Sequence, residues 1–165
     1  MTIEFSNVWP DCLNDDESVI RHELGHALIW FAHGESIDRI RFVRQLDGLM
    51  AGSMMGAPSP GWDERRYRAE KPALVAERAL AGEIAARKYN GLRQGIVCSD
   101  LEVTRSSNLG SVLDIKEMPA SDDAKALVLA HEAAGVGWYE WLCLRHDAAG
   151  ALVERHWVGL GKAAF

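Results

Sequence analysis

NDDESVIRHELGHALIWFAHG, residues Asn14 to Gly34, is the stretch whose reading decides the fold. Asn14, Asp15 and Asp16 offer N-cap oxygens and negative charge ahead of an apolar-periodic run from Val19 to Phe31, and Gly34 supplies the stop. The pattern predicts a helix, and that helix carries His22-Glu23-Leu24-Gly25-His26. Side chains four apart on a helix stand one above the other, about 6 Å apart, so two imidazoles can converge on one ion. Glu23 is turned by about 100° from His22, which sets its carboxylate beside that ion.

This is an HExxH motif, and its residue types suit hydrolysis. Zinc accepts a histidine pair, lowers the pKa of its water to about 7, and leaves a nearby carboxylate to take the proton as the oxygen attacks a carbonyl. Roughly two shuffled versions of this chain in a hundred would contain the motif by accident, and it falls on a helix predicted independently of it. His22 and His26 are therefore the candidate metal ligands and Glu23 the candidate general base. A catalytic zinc needs a third ligand. His33 shares the face of His22 but stands about 16 Å further along the axis, which suits a helix-end histidine near the terminal carbonyls. Positions 29 and 32 are Ile and Ala, so the extended HExxHxxGxxH pattern is absent. Glu77, Glu83 and Asp100, all downstream, are left as candidates, and spacing does not choose among them.

Working outward from the first helix, Ile37 to Arg44 alternates imperfectly and Leu49 to Met55 is a second apolar run. Together they predict a hairpin turning at Asp47-Gly48. GAPSPG, Gly56 to Gly61, reads as a surface loop. A long helix is expected from Pro72 through Ala73 to Tyr89, ending at Asn90-Gly91. Ser99 can cap a shorter helix from Asp100 to about Ser107. Ser121, Asp122 and Asp123 open a C-terminal helical region, expected to break near Ala148 to Gly150 into two antiparallel pieces. The fold class is mainly α with a small β-sheet, an α+β arrangement in which a zincin-like HExxH helix leads into a short sheet and a helical bundle. At 165 residues the whole chain, 1–165, reads as one metallopeptidase-like domain.

An apolar fraction of 48% and a charged fraction of 25% are those of a folded globular chain. The formal net charge of -6 disfavours a nucleic-acid footprint, and Arg65, Arg66 and Arg68 read as a solvated helix face. Cys12, Cys98 and Cys143 are odd in number and unpatterned, which fits a reducing compartment. The first residues lack a signal-peptide pattern, and the apolar stretch from Ala124 to Leu144 is interrupted by Lys125, His131, Glu132 and Glu140, so no membrane span and a cytoplasmic location are expected. His131-Glu132 lacks a second histidine at position 135 and carries no ligand pattern. Trp138, Tyr139, Trp141 and Trp157 read as packing aromatics.

Three segments resemble the peptidase domain of the M41 family, the proteolytic half of the ATP-dependent FtsH proteases. That family's HEAGHA, LGGRAAEE and STGASNDLxxAT segments are met here by HELGHA at His22 to Ala27, LAGEIAAR at Leu80 to Arg87, and SDLEVT at Ser99 to Thr104. The resemblance covers most of the chain and implies a zinc metalloendopeptidase with Asp100 as the third metal ligand. The family's paired glutamates fall on Ala86 and Arg87, and its STGA is replaced by GIVC. No GxxxxGK[ST] phosphate loop is present, so ATP hydrolysis is not expected of this chain.

The resemblance implies a polypeptide substrate, extended or already unfolded, with a separate ATPase partner or self-assembly as the complement. Small proteases of the ImmA/IrrE type also carry HELGH-like motifs and take a glutamate from a following helix, which would promote Glu77 or Glu83, but their ExxANxFAxxLLxP segment is not found. A catalytically silent metal-binding or interaction module is the non-enzymatic alternative. Glu23 argues against it, since a structural zinc site has no use for a carboxylate there.

Overall fold

The computed structural model describes residues 1, 3–6, 15–56, 64–99 and 121–163. The first helix, α1, spans Asp16–Ala32, and the Asp15 side chain caps it by accepting from the Ser18 N–H at 2.8 Å. It ends at Gly34, which takes φ +75° while the Glu35 N–H reaches back to the Trp30 carbonyl at 3.0 Å. A first strand, β1 (Ile3–Ser6), precedes α1.

After α1 the chain forms the expected hairpin, β2 (Ile37–Arg44) and β3 (Met50–Gly56), paired antiparallel. Gly48 supplies positive φ in the turn, and the Asp47 carboxylate accepts from the Leu49 N–H. The register is irregular between Ile37 and Arg39 and continuous from Arg39 to Arg44. Helix α2 (Glu64–Glu70) follows, then α3 (Pro72–Tyr89) with its proline in the first turn.

Strand β4 (Ile96–Ser99) pairs in parallel with β1, placing Ile3 opposite Ile96 and Phe5 opposite Cys98. This pair was not foreseen, because each strand is four residues long and its partner lies some ninety residues away. The GAPSPG loop beyond Gly56, Asp100 and the short helix expected after Ser99 lie outside the described residues.

The C-terminal region opens where expected, with Ser121 capping α4 (Asp122–Ala134), but it breaks elsewhere. A 3-10 turn at Gly135–Gly137 separates α4 from α5 (Trp138–Ala163), which runs unbroken through Ala148 to Gly150. Gly135 has φ +53°, a conformation that strains side-chain-bearing residues, and so it marks the break. Gly150 costs a helix about 1 kcal/mol, which neighbouring good helix formers absorb over 26 residues.

Helix α3 packs against α1, α4 and α5. It is buried along most of its length, from Leu74 to Arg87, and its many alanines let neighbours come close. One apolar cluster joins Ile29, Leu80, Ile84, Ile96, Leu127, Leu142 and Val153, with Trp138, Trp141 and Trp157 packed against it as expected of packing aromatics. Tyr139, by contrast, is exposed. The molecule is mainly helical with a small antiparallel sheet, and among the described residues no helix is long and apolar enough to cross a membrane.

Candidate metal centre

Two glycines set the distance between α1 and α3. A Cβ on Gly25 would lie 2.4 Å from the Ala81 carbonyl oxygen, and one on Gly82 would lie 2.3 Å from Cε1 of His26. The helices cross closely enough for His26 to reach the backbone of α3, and its Nδ1–H donates to the Arg78 carbonyl at 2.7 Å. That bond fixes the tautomer and leaves the Nε2 lone pair free for a cation.

His22 stands one turn before His26, and its Nε2 lies 2.8 Å from Nε2 of His26. Asp122, the first residue of α4, brings Oδ2 to 3.2 Å from His22 Nε2 and 3.0 Å from His26 Nε2. Four ligands arranged tetrahedrally at 2.0 to 2.2 Å from zinc stand about 3.3 to 3.6 Å apart, so these three atoms, 2.8 to 3.2 Å from one another, form a contracted face of such a polyhedron. Two nitrogens and a carboxylate oxygen this close need a positive charge among them, and a divalent ion meets that need for all three at once. The residues present therefore fit a metal, and His22, His26 and Asp122 form a group that could hold one.

The surroundings reinforce that fit. The side chains of His22, His26 and Asp122 retain only 7%, 12% and 18% of their exposure, so bulk water does not screen their charges. Burial pulls the His22 pKa down, but its hydrogen bond to Asp122 and the charges of Glu83, Asp122 and Glu23 outweigh this and raise it. Burial likewise pushes Asp122 up, and is overcome by His26, His22 and Lys125, which hold its carboxyl well below the usual carboxylate range. Lys125 donates to Oδ1 at 2.7 Å, leaving Oδ2 directed at the histidines. The neighbouring Asp123 is turned the other way, accepting from the Val97 N–H at 2.9 Å, and so ties the start of α4 to β4. Burial, then the nearby Glu83 charge, pushes the Asp123 pKa well up.

Of the downstream acids named as candidates, Glu83 lies on the far side of His22, with Oε1 3.6 Å from Nδ1. Nδ1 is buried and makes no hydrogen bond, so Glu83 is the acid best placed to orient that ring by a small approach. Glu77 accepts from Arg145 at 2.8 Å and pairs with His33 at 3.1 Å. His33 thus meets a carboxylate rather than the terminal carbonyls expected of it. Asp100 lies outside the described residues, and among the described residues the acid that joins both histidines is Asp122, 100 residues after His22. Sequence reading missed it because Ser-Asp-Asp before an apolar run is an ordinary helix start.

Glu23 is buried beneath β3, where a Cβ on Gly52 would lie 2.4 Å from its Cγ. Gly56 makes the same close approach to the Trp30 ring, so β3 runs along α1 with one face pressed onto it. The group opens into a cleft of about 270 Å³ lined by His22, Glu23, His26, Asp122, Gly52 to Met54 of β3, and cationic side chains from α2, α3 and α4. A buried carboxylate, a candidate metal group and a strand edge therefore share one cleft. Compared with models of known protein families, with curated proteins and with solved structures, the chain matches none.

Two outcomes test the arrangement around the metal group. Gly82→Ala favours the helix by about 1 kcal/mol in intrinsic propensity, yet its methyl group displaces the His26 ring. Zinc affinity should fall by about tenfold or more in a competition titration while the helical circular-dichroism signal is kept. Unchanged affinity would mean that His26 is not a ligand. Glu83→Ala should weaken zinc binding by roughly 10- to 100-fold through the loss of support for His22. An affinity equal to wild type would leave Glu83 with no part in holding that ring.

Proposed function

We propose that this chain is a zinc-dependent metalloendopeptidase acting on extended or unfolded polypeptide. The observation that supports this reading is the convergence of His22 Nε2, His26 Nε2 and Asp122 Oδ2 in a cleft that also holds the Glu23 carboxylate. The resemblance of His22 to Ala27, Leu80 to Arg87 and Ser99 to Thr104 to M41 peptidase segments points the same way.

An ion held by these three residues supplies Lewis acidity, making water a nucleophile near neutral pH and polarising a carbonyl. The chain supplies the rest. Glu23 takes a proton from the attacking water as the water oxygen bonds to the carbonyl carbon, then returns it to the departing amine nitrogen as the C–N bond breaks. Burial of Glu23 under Gly52 holds its carboxylate in one place. Among the described residues no strand pairs with the second edge of β3, and Gly52 to Met54 line the cleft. An extended peptide can add to that edge as a further strand, which presents its backbone carbonyls to the centre.

Metal analysis of protein purified without added zinc should return one equivalent, and the same preparation should cleave casein, lose activity to a chelator and regain it with zinc. A metal-free, correctly folded preparation that cannot be loaded would overturn the proposal, as would a fully loaded one that leaves casein intact.

A further inference from the structure

A second pocket, of about 280 Å³, lies between α3 and α5 and shares no residue with the cleft at the metal group. Ile84 of α3 and Val153 of α5 give it apolar walls. His146 of α5 also lines it, and nothing satisfies that ring. The residue is 8% exposed, and among the described residues neither ring nitrogen has a hydrogen-bond partner. Asp147 Oδ1, 3.7 Å from Nδ1, stands too far away to serve. Burial pushes the His146 pKa down and outweighs the nearby Asp147 charge, so at neutral pH the ring has one N–H to donate and one lone pair to accept with. A buried polar group left unpaired costs stability, and a partner that enters the pocket relieves that cost.

Gly150 points the same way. It stands one turn after His146 on the same face of α5, and glycine is the poorest helix former after proline. A Cβ there would meet nothing within 4 Å, so no close approach demands glycine, and its missing side chain leaves open space beside the imidazole. The charges around the pocket select against ions. Lys88 and Glu154 are paired with each other, Nζ to Oε2 at 2.6 Å. The Asp147 side chain is 77% exposed and solvated, so an entering ion would give up its hydration with no buried charge of opposite sign to meet it.

We propose that this pocket binds a small uncharged molecule with an apolar body and one hydroxyl group, the hydroxyl pairing with His146 and the body lying against Ile84, Val153 and Gly150. A hydroxyl both donates and accepts, so it meets either ring nitrogen in either tautomer. The His146 side chain keeps 11% of its exposure, and with both nitrogens shielded that exposure lies on carbon. A half-turn about the Cβ–Cγ bond exchanges the two nitrogens with two ring carbons, which lets the ring offer a nitrogen to a ligand. The volume exceeds the share of one water, about 30 Å³, and lies just below the roughly 300 Å³ at which ligand sites begin, so a single ring is the size that suits it. Nothing in this inference depends on the peptidase reading of the other cleft.

The test uses the full chain and phenol as the probe, with toluene, benzoate and benzylamine as comparators of similar size. Each is titrated near neutral pH and followed by nuclear magnetic resonance of nitrogen-labelled histidine rings. Phenol should saturate a single site and shift the ring nitrogens of His146. Toluene, which lacks the hydroxyl, should bind about three- to tenfold more weakly, and both charged rings should also bind more weakly than phenol. His146→Leu should remove the advantage of phenol over toluene. Gly150→Leu should fill the pocket and abolish binding of both, with circular dichroism showing that α5 is kept. The wild-type titrations decide the matter even if a variant does not fold. Absence of saturable phenol binding, or phenol binding that leaves the His146 nitrogens unmoved, would overturn the inference. Toluene binding as tightly as phenol would overturn it too, as would tightest binding by benzoate or benzylamine.

Discussion

Glu23→Gln should keep its zinc and lose roughly 10²- to 10⁴-fold in turnover of unfolded protein, the range attached to a positioned proton acceptor. Glutamine has nearly the same shape, so the close packing of this side chain under Gly52 is preserved and the hairpin stays on α1. His22, His26 and Asp122 are untouched, and metal content should remain one equivalent. What changes is basicity: an amide cannot take the proton from water at neutral pH. Because Glu23 adds to the negative charge felt by His22, a modest change in metal affinity is also expected, and single-turnover rates at saturating zinc separate the two effects. Turnover equal to wild type in a fully loaded variant would mean that another group accepts the proton.

Much of this was legible in the sequence because it depends on local chemistry. Asp15 caps α1 because an acceptor oxygen ahead of an apolar-periodic run meets an unpaired N–H there. Asp47-Gly48 turns the hairpin because its side chain and its positive φ suit a tight reversal. The pairing of His22 with His26 follows from helical pitch alone. Gly25, inside the same motif, is where α3 crosses closely, against the Ala81 carbonyl.

The third member of the group was not legible, for a physical reason. Asp122 and Asp123 are adjacent, identical in type and both suited to a helix start, yet the first faces two histidines and the second grips the backbone of β4. Helical geometry turns consecutive side chains by about 100°, so their duties separate only once the docking of α4 is known. The β1 and β4 pair was hidden in the same way, since parallel pairing of two four-residue strands leaves almost no local pattern. The break at Gly135 was missed because a Gly150 flanked by alanine looks, by composition, equally able to end a helix.

Asp122→Ala should lower zinc affinity by more than about a hundredfold, comparable to His22→Ala or His26→Ala and larger than any change outside the ligand set. Loss of one coordinating oxygen is only part of the effect. Lys125 is held 2.7 Å from Oδ1, and without the carboxylate its ammonium would be an unneutralised charge beside the residues that would hold the metal. In Lys125→Met the carboxylate remains and the competing cation is gone, so zinc affinity should change far less. Adding Lys125→Met to Asp122→Ala should recover part of the lost affinity, and only part, because the electrostatic penalty is relieved while the ligand is still missing. Asp100→Ala provides the opposing arm, since resemblance to M41 peptidases implies that residue as the third ligand. Competition titrations on all four variants decide between the two aspartates: near-wild-type affinity in Asp122→Ala together with severe loss in Asp100→Ala would transfer the role to Asp100. Loss in Asp122→Ala with folding intact by circular dichroism, and little change in Asp100→Ala, is the outcome expected from two imidazole nitrogens that already have Asp122 Oδ2 within 3.2 Å of each.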